Sequence, residues 1–385
     1  MTEPMSKRVP QLLVALVALF GAVAIAVVVL GNRSDSSDPD PNSPIEIGEQ
    51  LDPEEEAVRS AQRFLDAYVG LDGRVERDEG DTVSEGQAYA LLISVALHDE
   101  TTFDRVWQWT RDNLLTESGT LAWKWSNSRI IDPNAATDAD LDVARALFMA
   151  SERFERPDFG DAALDLADAL VDEDVVTAGD TSVLVAGPWA TTAPYAWNPS
   201  YLAPASFDLL ATETGDPMWT GLREDALRLL DDVTDAGTLL PSDWARLDSD
   251  GNPDTSGAPG GSDRPTYGFD AFRTIPRLAE ACDAGSRDLA VALGPVVERA
   301  AEAEGQILDL NGDPVDGDGS NPLFLLAAAS GAEASGDDER ANEFADRAER
   351  IDAGAPSYYL GAWIALTRLM VDTDRLDVCS RLENP

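Results

Sequence analysis

Twelve segments with helical periodicity, beginning near residue 53, constrain the fold of this 385-residue chain more than any other feature. The predicted helices span residues 54–69, 84–98, 101–114, 138–154, 160–172, 200–213, 218–234, 268–282, 287–303, 321–333, 337–349 and 357–372. Twelve helices joined by alternating short and long connections predict an all-α domain, an (α/α)6 barrel. A solenoid of helical hairpins fits the same count, but no repeated sequence motif supports it. Only the segment 175–190, with its run of Val183, Leu184 and Val185, predicts a short β-hairpin.

The chain before the first helix reads as a membrane anchor and a tether. Residues 11–30 are uncharged and nearly all apolar, which is long enough to span a bilayer as a helix. Because Lys7 and Arg8 precede this run, residues 1–10 should stay in the cytoplasm and the remainder should lie outside the cell. The alternative is a cleaved signal peptide, which would release a secreted protein. Residues 31–52 are polar, acidic and rich in proline, as in a flexible linker.

The charge balance excludes whole classes of partner and reaction. Twenty-eight basic against 72 acidic side chains give a formal charge of −44, which disfavours nucleic acid and favours a soluble monomer. An Asp-rich, Lys-poor surface is typical of salty habitats, although GC-rich codon bias explains it equally well. The single histidine, His98, rules out a three-histidine zinc site, and we interpret it as the end of a helix. No cofactor or metal is predicted, and carboxylates are the abundant catalytic groups.

One carboxylate opens an apolar helix at residues 84–98. Ser84 and Gln87, three residues apart, match a capping box, and Glu85 between them lies in the first helical turn. Glu85 could simply complement the helix dipole, and this structural interpretation is the alternative to a catalytic role.

Two further acidic segments also begin helices. Asp138, Asp140 and Asp142 alternate at the start of one helix, and three acids exceed what capping requires. Asp270 and Arg273 lie on one face of another, so a charge pair should lower the pKa of Asp270.

Tryptophans concentrate in long connections rather than in helices. The long loops are 116–137, 174–198, 236–266 and 305–320, and the first three hold Trp123, Trp125, Trp189, Trp197 and Trp244. Sugar rings stack on exposed aromatic faces, so this distribution predicts a carbohydrate-binding groove. Packing of each Trp beneath its loop is the alternative.

Four motifs, in this order, resemble glycoside hydrolase family 8. The chain carries Ser-Glu-Gly-Gln-Ala-Tyr from residue 84, Ala-Thr-Asp-Ala-Asp-Leu-Asp from 136, Asn-Pro-Ser-Tyr from 198 and Tyr-Gly-Phe-Asp-Ala-Phe-Arg from 267. The resemblance covers roughly residues 55–375 and includes Tyr358 and Tyr359 at the start of the last helix. It implies an (α/α)6 barrel that hydrolyses β-1,4-linked glycans with inversion, in a catalytic domain of residues 53–380.

The resemblance also implies roles for individual residues. Glu85 matches the general acid and Asp270 the general base, while Asp138 and Asp140 match the acids that hold the distorted sugar, with Asp140 preferred. Burial against an apolar helix should raise the pKa of Glu85. The remaining predicted substrate-binding residues are Tyr89, Trp123, Trp125, Trp197, Asn198, Tyr201, Tyr267 and Arg273.

The sequence does not determine which β-1,4-linked polymer is the substrate. An endo-β-1,4-glucanase is the first choice, with a chitosanase or xylanase of the same fold as alternatives. Ala90-Leu91 and Ile275-Pro276-Arg277 depart from the usual family pattern and leave the sugar preference open. A membrane-anchored glycan-binding protein without catalysis is the remaining alternative, although both carboxylates are retained.

The two cysteines and two Asp-rich segments are further features of the sequence. Cys282 and Cys379 follow helices eight and twelve, which should end at the same rim, so a disulfide is permitted outside the cell. The segments beginning at Asp248 and Asp309 resemble calcium loops but lack the closing Glu, so we interpret them as turns.

Overall fold

The computed structural model describes residues 52–382, so the predicted cytoplasmic tail, the membrane span and all but the last residue of the linker lie outside the described residues. Within that range no helix is long and apolar enough to cross a membrane. The α-helices are α1 Pro53–Tyr68, α2 Ser84–Ala96, α3 Glu100–Asn113, α4 Thr137–Arg153, α5 Pro157–Asp174, α6 Pro204–Thr214, α7 Pro217–Val233, α8 Thr274–Ala279, α9 Ala284–Ala301, α10 Leu323–Ala334, α11 Asp338–Gly354, α12 Tyr358–Val371 and α13 Cys379–Leu382.

The even-numbered helices from α2 to α12 form a closed inner ring. Each contacts the next around the ring, and α12 returns to α2. Helices α2, α10 and α12 are buried along most of their length because apolar residues occupy nearly every face, not only one stripe. Helix α4 is also largely buried, although it carries the charged residues Asp138, Asp142 and Arg145. The odd-numbered helices from α1 to α11 pack outside this ring. The protein is mostly helical, consistent with the predicted (α/α)6 barrel.

The two ends of the ring differ in what they present. Because each inner helix follows an outer helix that runs the opposite way, all the inner helices begin at one end, which we call the upper end. At the other, lower end, Arg153 and Arg375 donate to the carbonyls of Val95 and Ala96 at the end of α2. Arg375 also pairs with Glu54 at 3.0 Å, so α1 begins at the lower end. The chain preceding α1 therefore joins the domain opposite the upper end.

A disulfide joins Cys282 to Cys379 across 97 residues of sequence. It links the segment after α8 to the short helix α13, which the sequence did not predict. The disulfide that the sequence permits is therefore present.

Short β-hairpins occupy the long loops at the upper end. The strands are β1 Thr82–Val83, β2 Lys124–Ser126, β3 Arg129–Asp132, β4 Val175–Ala178, β5 Thr181–Leu184, β6 Tyr195–Trp197, β7 Trp244–Leu247, β8 Pro253–Ser256, β9 Ile307–Leu308 and β10 Pro314–Asp316. All pair antiparallel, in the orders β1-β2-β3, β4-β5, β6-β7-β8 and β9-β10. The hairpin predicted at 175–190 is confirmed, but the others were missed because two- to four-residue strands show little periodicity.

The predicted capping box at the start of α2 is wrong. Val83 is the N-cap residue, and the hydroxyl of Ser84 meets no hydrogen-bond partner within residues 52–382. Gln87 is buried and points away from the cap, since its amide accepts from Val75 and donates to Thr110. Gln87 therefore fastens the loop before the helix to α3 instead of capping α2.

Two predicted helices begin later than expected. The segment from 200 opens as a 3-10 turn, Pro199–Tyr201, and α6 starts only at Pro204 because a residue before proline avoids helical geometry. The segment from 268 opens with the 3-10 turn Ala271–Arg273, and α8 follows it for six residues. The remaining predicted helices are present to within a few residues of their expected bounds, and the turns at Asp248 and Asp309 are confirmed by carboxylates that accept N–H groups of their own turns.

Candidate active site

The candidate site lies at the upper end, where the inner helices begin. Glu85 lies in the first turn of α2, Asp138 in the first turn of α4, and Asp270 just before α8. Unpaired N–H groups and the helix dipole stabilise negative charge at such ends. Acids far apart in sequence thus meet because parallel inner helices all begin on one side.

Glu85 is partly exposed, but its Oε2 atom is inaccessible and has no hydrogen-bond partner in the described part of the chain. Burial, and then the nearby charge of Asp138, raise the pKa of Glu85 to about 7. The predicted rise is confirmed, and Glu85 can hold a proton near neutral pH. Directly after Glu85, Gly86 leaves room for Tyr358, whose hydroxyl would be 2.5 Å from a Cβ at that position.

Arg273 joins the other two acids. Its guanidinium donates to Asp138 at 2.7 Å and to Asp270 at 3.0 Å, and all three side chains are buried. This arrangement satisfies a buried cation with two carboxylates, which a single ion pair would do less completely.

The pKa of Asp270 differs from its prediction. Burial raises it to about 6, and the charge of Asp243 acts in the same direction. Arg273 and the side chain of Asn198 lower the pKa, but they do not overcome burial. The expected lowering is therefore wrong, because the sequence shows the partner Arg273 and not the depth at which the pair lies.

Asp140, the preferred sugar-holding acid, lies elsewhere. It is fully buried, and its Oδ1 accepts the N–H of Leu121 at 2.7 Å. Burial raises its pKa well above the usual value, and Asp174 is the next acid beside it. Since Asp138 contacts Arg273 and influences Glu85, the geometry favours Asp138 over Asp140 for the role.

Three tyrosines surround Arg273. The hydroxyl of Tyr89 lies 3.4 Å from its Nη1, and the ring of Tyr201 lies below the guanidinium, with 5.5 Å from Cζ to the ring centroid. Tyr359, which was not among the predicted site residues, donates its hydroxyl to the carbonyl of Phe269 at 2.9 Å. Burial raises the pKa values of Tyr201 and Tyr359, and the charges of Glu85 and Asp270 act in the same direction, so these phenols lie near both acids.

Trp123 borders the site next to Glu85. Its carbonyl accepts the N–H of Ser84 at 3.0 Å, and Lys124 lies 5.2 Å from its ring centroid. Trp125, two residues on, packs between Arg74 and Trp109, at 4.8 and 5.2 Å between centres. Trp123 is partly exposed and suits stacking on a sugar. The ring of Trp125 is already in contact with Arg74 and Trp109.

Two predicted sugar contacts are wrong. Trp197 and Tyr267 are both 0 % exposed and belong to the main apolar core, where the Tyr267 ring packs 4.6 Å from that of Phe324. A buried ring offers no face to a sugar. Asn198, directly after Trp197, is buried at the site, and its side-chain oxygen accepts the N–H of Ser200. By contrast, Trp244 and Tyr201 belong to a small buried cluster apart from the main core, and the partly exposed Trp189 packs against both.

Asp243 is the main site residue that the sequence reasoning missed. It precedes β7 and accepts hydrogen bonds from the backbone around Asp270. The available signal was an acid next to Trp244 in a long, Trp-bearing loop, which is weak on its own. Within residues 52–382, no three His, Cys, Asp or Glu side chains are arranged to hold a metal ion.

The arrangement suits acid–base chemistry at one centre. Glu85 can be protonated near neutral pH and has a free oxygen, whereas Asp270 is held by Arg273 and titrates lower. Two carboxyls in opposite protonation states are what an inverting glycosidase requires, one to protonate the leaving oxygen and one to activate water.

The chain is similar to a known protein family. The sequence model of the family, glycosyl hydrolases family 8, matches residues 57–268. An endoglucanase of Escherichia coli (strain K12) is 34% identical over 206 residues, 49% of this chain and 54% of that protein. A probable endoglucanase of Novacetimonas hansenii is 32% identical over 212 residues, 51% of this chain and 60% of that protein. The chain thus spans little more than half the length of these curated relatives.

Solved structures extend the likeness across the helical domain. The endo-β-1,4-glucanase CMCax of Acetobacter xylinum superposes with a TM-score of 0.66 at 26% identity, covering 82% of this chain and 97% of that one. The apo β-1,3-1,4-glucanase of Paenibacillus sp. X4 gives a TM-score of 0.72 at 21% identity, covering 85% and 93%. At that identity the second likeness shows a common fold alone.

Proposed function

The chain belongs to glycosyl hydrolases family 8, and from this premise we propose that it is an inverting, endo-acting β-1,4-glucanase. The observation that carries the proposal is the difference between two carboxyls at one site. Glu85 has an unshared oxygen and a pKa of about 7, while Asp270 is bonded to Arg273 and has a pKa of about 6. Near neutral pH this difference favours a protonated Glu85 beside an ionised Asp270.

In the proposed reaction Glu85 is the general acid. Its proton passes to the glycosidic oxygen as the bond from that oxygen to the anomeric carbon breaks, and Glu85 is left as a carboxylate. Asp270 takes a proton from a water whose oxygen bonds to the anomeric carbon from the opposite face. The products are an alcohol and a sugar with inverted anomeric configuration. Proton return from Asp270 to Glu85 through solvent completes the cycle.

Asp138 takes the role of holding the distorted sugar in this proposal, replacing Asp140. Its carboxylate faces the site from α4 and is fixed by Arg273. Trp123 supplies a stacking face beside Glu85, and the partly exposed Trp189, whose ring lies against the buried Trp244, supplies another near Tyr201. The relatives named endoglucanase favour a glucan as the polymer.

The test is release of reducing sugar from carboxymethylcellulose, lichenan, xylan and chitosan by the wild type and Glu85→Gln. We expect the wild type to prefer a β-1,4-glucan, with Glu85→Gln slower by about 10²–10⁴-fold. Higher turnover on xylan or chitosan would replace the substrate but keep the reaction. Equal inactivity of both proteins on every polymer would favour a non-catalytic glycan-binding protein.

We also propose that residues 11–30 anchor the enzyme in the membrane, with the catalytic domain outside the cell as a monomer. The Cys282–Cys379 disulfide suits an oxidising compartment. Since α1 begins at the lower end, the linker from the anchor joins the domain opposite the candidate active site. Recovery of the full-length protein in the membrane fraction, and of a variant lacking residues 1–30 in the cytosol, supports the anchor. Recovery of the full-length protein in the medium supports a cleaved signal. Light scattering of the domain tests the monomer.

A further inference from the structure

Asp243 lies behind Asp270, on the segment that leads into β7. One of its oxygens, Oδ1, accepts three backbone N–H groups, from Gly268 at 3.1 Å, Asp270 at 3.0 Å and Ala271 at 2.9 Å. The other oxygen accepts the hydroxyl of Thr266 at 3.2 Å, and the N–H of Asp243 itself donates to the carbonyl of Thr266. A single carboxylate therefore gathers the whole backbone segment that carries Asp270.

These three N–H groups belong to a segment with no regular partner for them. They come before α8, where backbone donors have no carbonyl one turn earlier to bond. The fit is close at Gly268, where a Cβ would lie 2.7 Å from Oδ2 of Asp243. A glycine is needed there because the carboxylate approaches the backbone directly.

The charge of Asp243 also reaches Asp270. The charged and titratable groups facing the two acids are Arg273 on the same turn as Asp270, Asp138 on α4, Tyr201 after β6, Tyr359 on α12 and Tyr267 beside Asp243. Asp138 is the acid among these groups, and Asp243 itself adds to the effect of burial in raising the pKa of Asp270. Burial raises the pKa of Asp243, but four donors surround its oxygens, which is the hydrogen-bonding set that suits the ionised form.

We propose that Asp243 is the positioning residue of the general base: its carboxylate clamps the backbone of residues 268–271 and places a fixed negative charge behind Asp270. This inference rests on the proposed function, in which Asp270 activates the water. Asp243 is not a catalytic residue itself, because it acts through the turn that carries Asp270.

Asp243→Asn separates charge from shape. Its amide oxygen can still accept the three N–H groups, while the negative charge is removed. Loss of that charge should lower the pKa of Asp270, and the acid limb of the kcat/KM profile should move to lower pH by about 0.5–1 unit. A profile that superimposes on that of the wild type would overturn the proposal.

Asp243→Ala removes the clamp as well. We expect kcat to fall by about 10- to 100-fold with KM changed less than about 3-fold, since small misplacement of a catalytic group costs rate more than binding. In an Asp270→Asn background the same change should cost no further activity, because Asp243 acts through Asp270. Additive losses would contradict this. If the Ala variant does not fold, the pH profile of the Asn variant decides alone.

Asp248→Asn is the matched control. Asp248 follows β7 on the same hairpin, and its carboxylate also accepts two backbone N–H groups, from Asp250 and Asn252, but in an exposed turn. Its pH profile should equal that of the wild type. Full activity of Asp270→Asn would remove the base assignment, and wild-type inactivity on every polymer would remove the proposed function. An unshifted Asp243→Asn profile in an Asp270-dependent enzyme removes only the present inference.

Discussion

The two candidate catalytic carboxyls differ in what surrounds their oxygens. Glu85 keeps an oxygen for which the described structure holds no partner, whereas Asp270 bonds Arg273. Burial raises both pKa values, and the bond to the guanidinium keeps that of Asp270 lower, at about 6 against about 7. The ion pair with Arg273 therefore keeps Asp270 the more readily ionised of the two. This difference favours Glu85 as the acid, not the base.

The pH dependence of the rate should follow from these values. Because Asp270 must be ionised and Glu85 protonated, kcat/KM should rise through about pH 6 and fall through about pH 7. Asp270→Asn should lower the rate by about 10³-fold and remove the acid limb. An unchanged acid limb in that variant, measured on a soluble glucan, would count against Asp270 as the base.

At the scale of elements, a stack of buried ion pairs joins α4 to α8. The residues are spaced by four and then three on each side, and the pairs run downward from the active site as Asp138 with Arg273, Asp142 with Arg277 and Arg145 with Glu280. The spacing is the same on both sides because α4 and α8 run parallel, so residues one helical turn apart on each helix stay level with each other. The stack holds the rotation of α8 relative to α4, and with it the position of Arg273.

Replacing one member of the Asp142–Arg277 pair should destabilise the protein strongly, and replacing both members should cost less than the two single changes together. Asp142→Leu leaves Arg277 buried with one acid fewer and should lower the free energy of unfolding by about 3–5 kcal/mol. Asp142→Leu with Arg277→Met should lower it by less than the sum of the single changes. Urea denaturation measures the cycle, and the exposed pair of Arg340 and Glu343 gives a control worth less than about 1 kcal/mol. Additive losses would mean that the two side chains do not stabilise each other.

The disulfide acts at the lower end, away from the candidate catalytic residues. Replacing Cys282 and Cys379 by Ser should lower the free energy of unfolding by about 2–4 kcal/mol, since the bond closes a long loop in the unfolded chain. Activity well below the melting temperature should stay at the wild-type level. Thermal denaturation and glucan hydrolysis test the two expectations separately. Lost activity in a fully folded variant would show that the lower end influences the site.

For the whole molecule, the dominant quantity is the charge of −44. Self-repulsion of this size opposes the compact state and weakens as salt screens it. Helix α5 shows the effect locally, because Asp161, Asp165, Asp168 and Asp172 follow one another at helical spacing and are all exposed. Like charges at this spacing destabilise a helix by about 0.2–0.5 kcal/mol per pair.

Salt should therefore stabilise the protein. Raising NaCl from about 0.05 to about 1 M should raise the melting temperature, because the Debye length falls from well over 10 Å to about 3 Å. A variant with Asn at the four α5 positions should be more stable at low salt and gain less from added salt. Equal salt increments in both proteins would mean that repulsion along α5 contributes nothing measurable.

The sequence alone determined the features that depend on local order along the chain. Helical periodicity located the twelve main helices, and the four motifs located Glu85, Asp138, Asp270 and Arg273 at helix starts, where the dipole favours acids. Those signals lie within a few residues of one another, so no tertiary information is needed to read them.

Only the tertiary structure decided what depends on depth and on distant neighbours. It turned Asp138 and not Asp140 toward Arg273, set the pKa of Asp270 above its usual value, and buried Trp197 and Tyr267 in the core. It also brought Asp243 to the backbone of Asp270. Adjacent positions of a motif look alike in sequence, but burial and long-range contacts separate them, because desolvation and hydrogen bonding depend on which elements pack together.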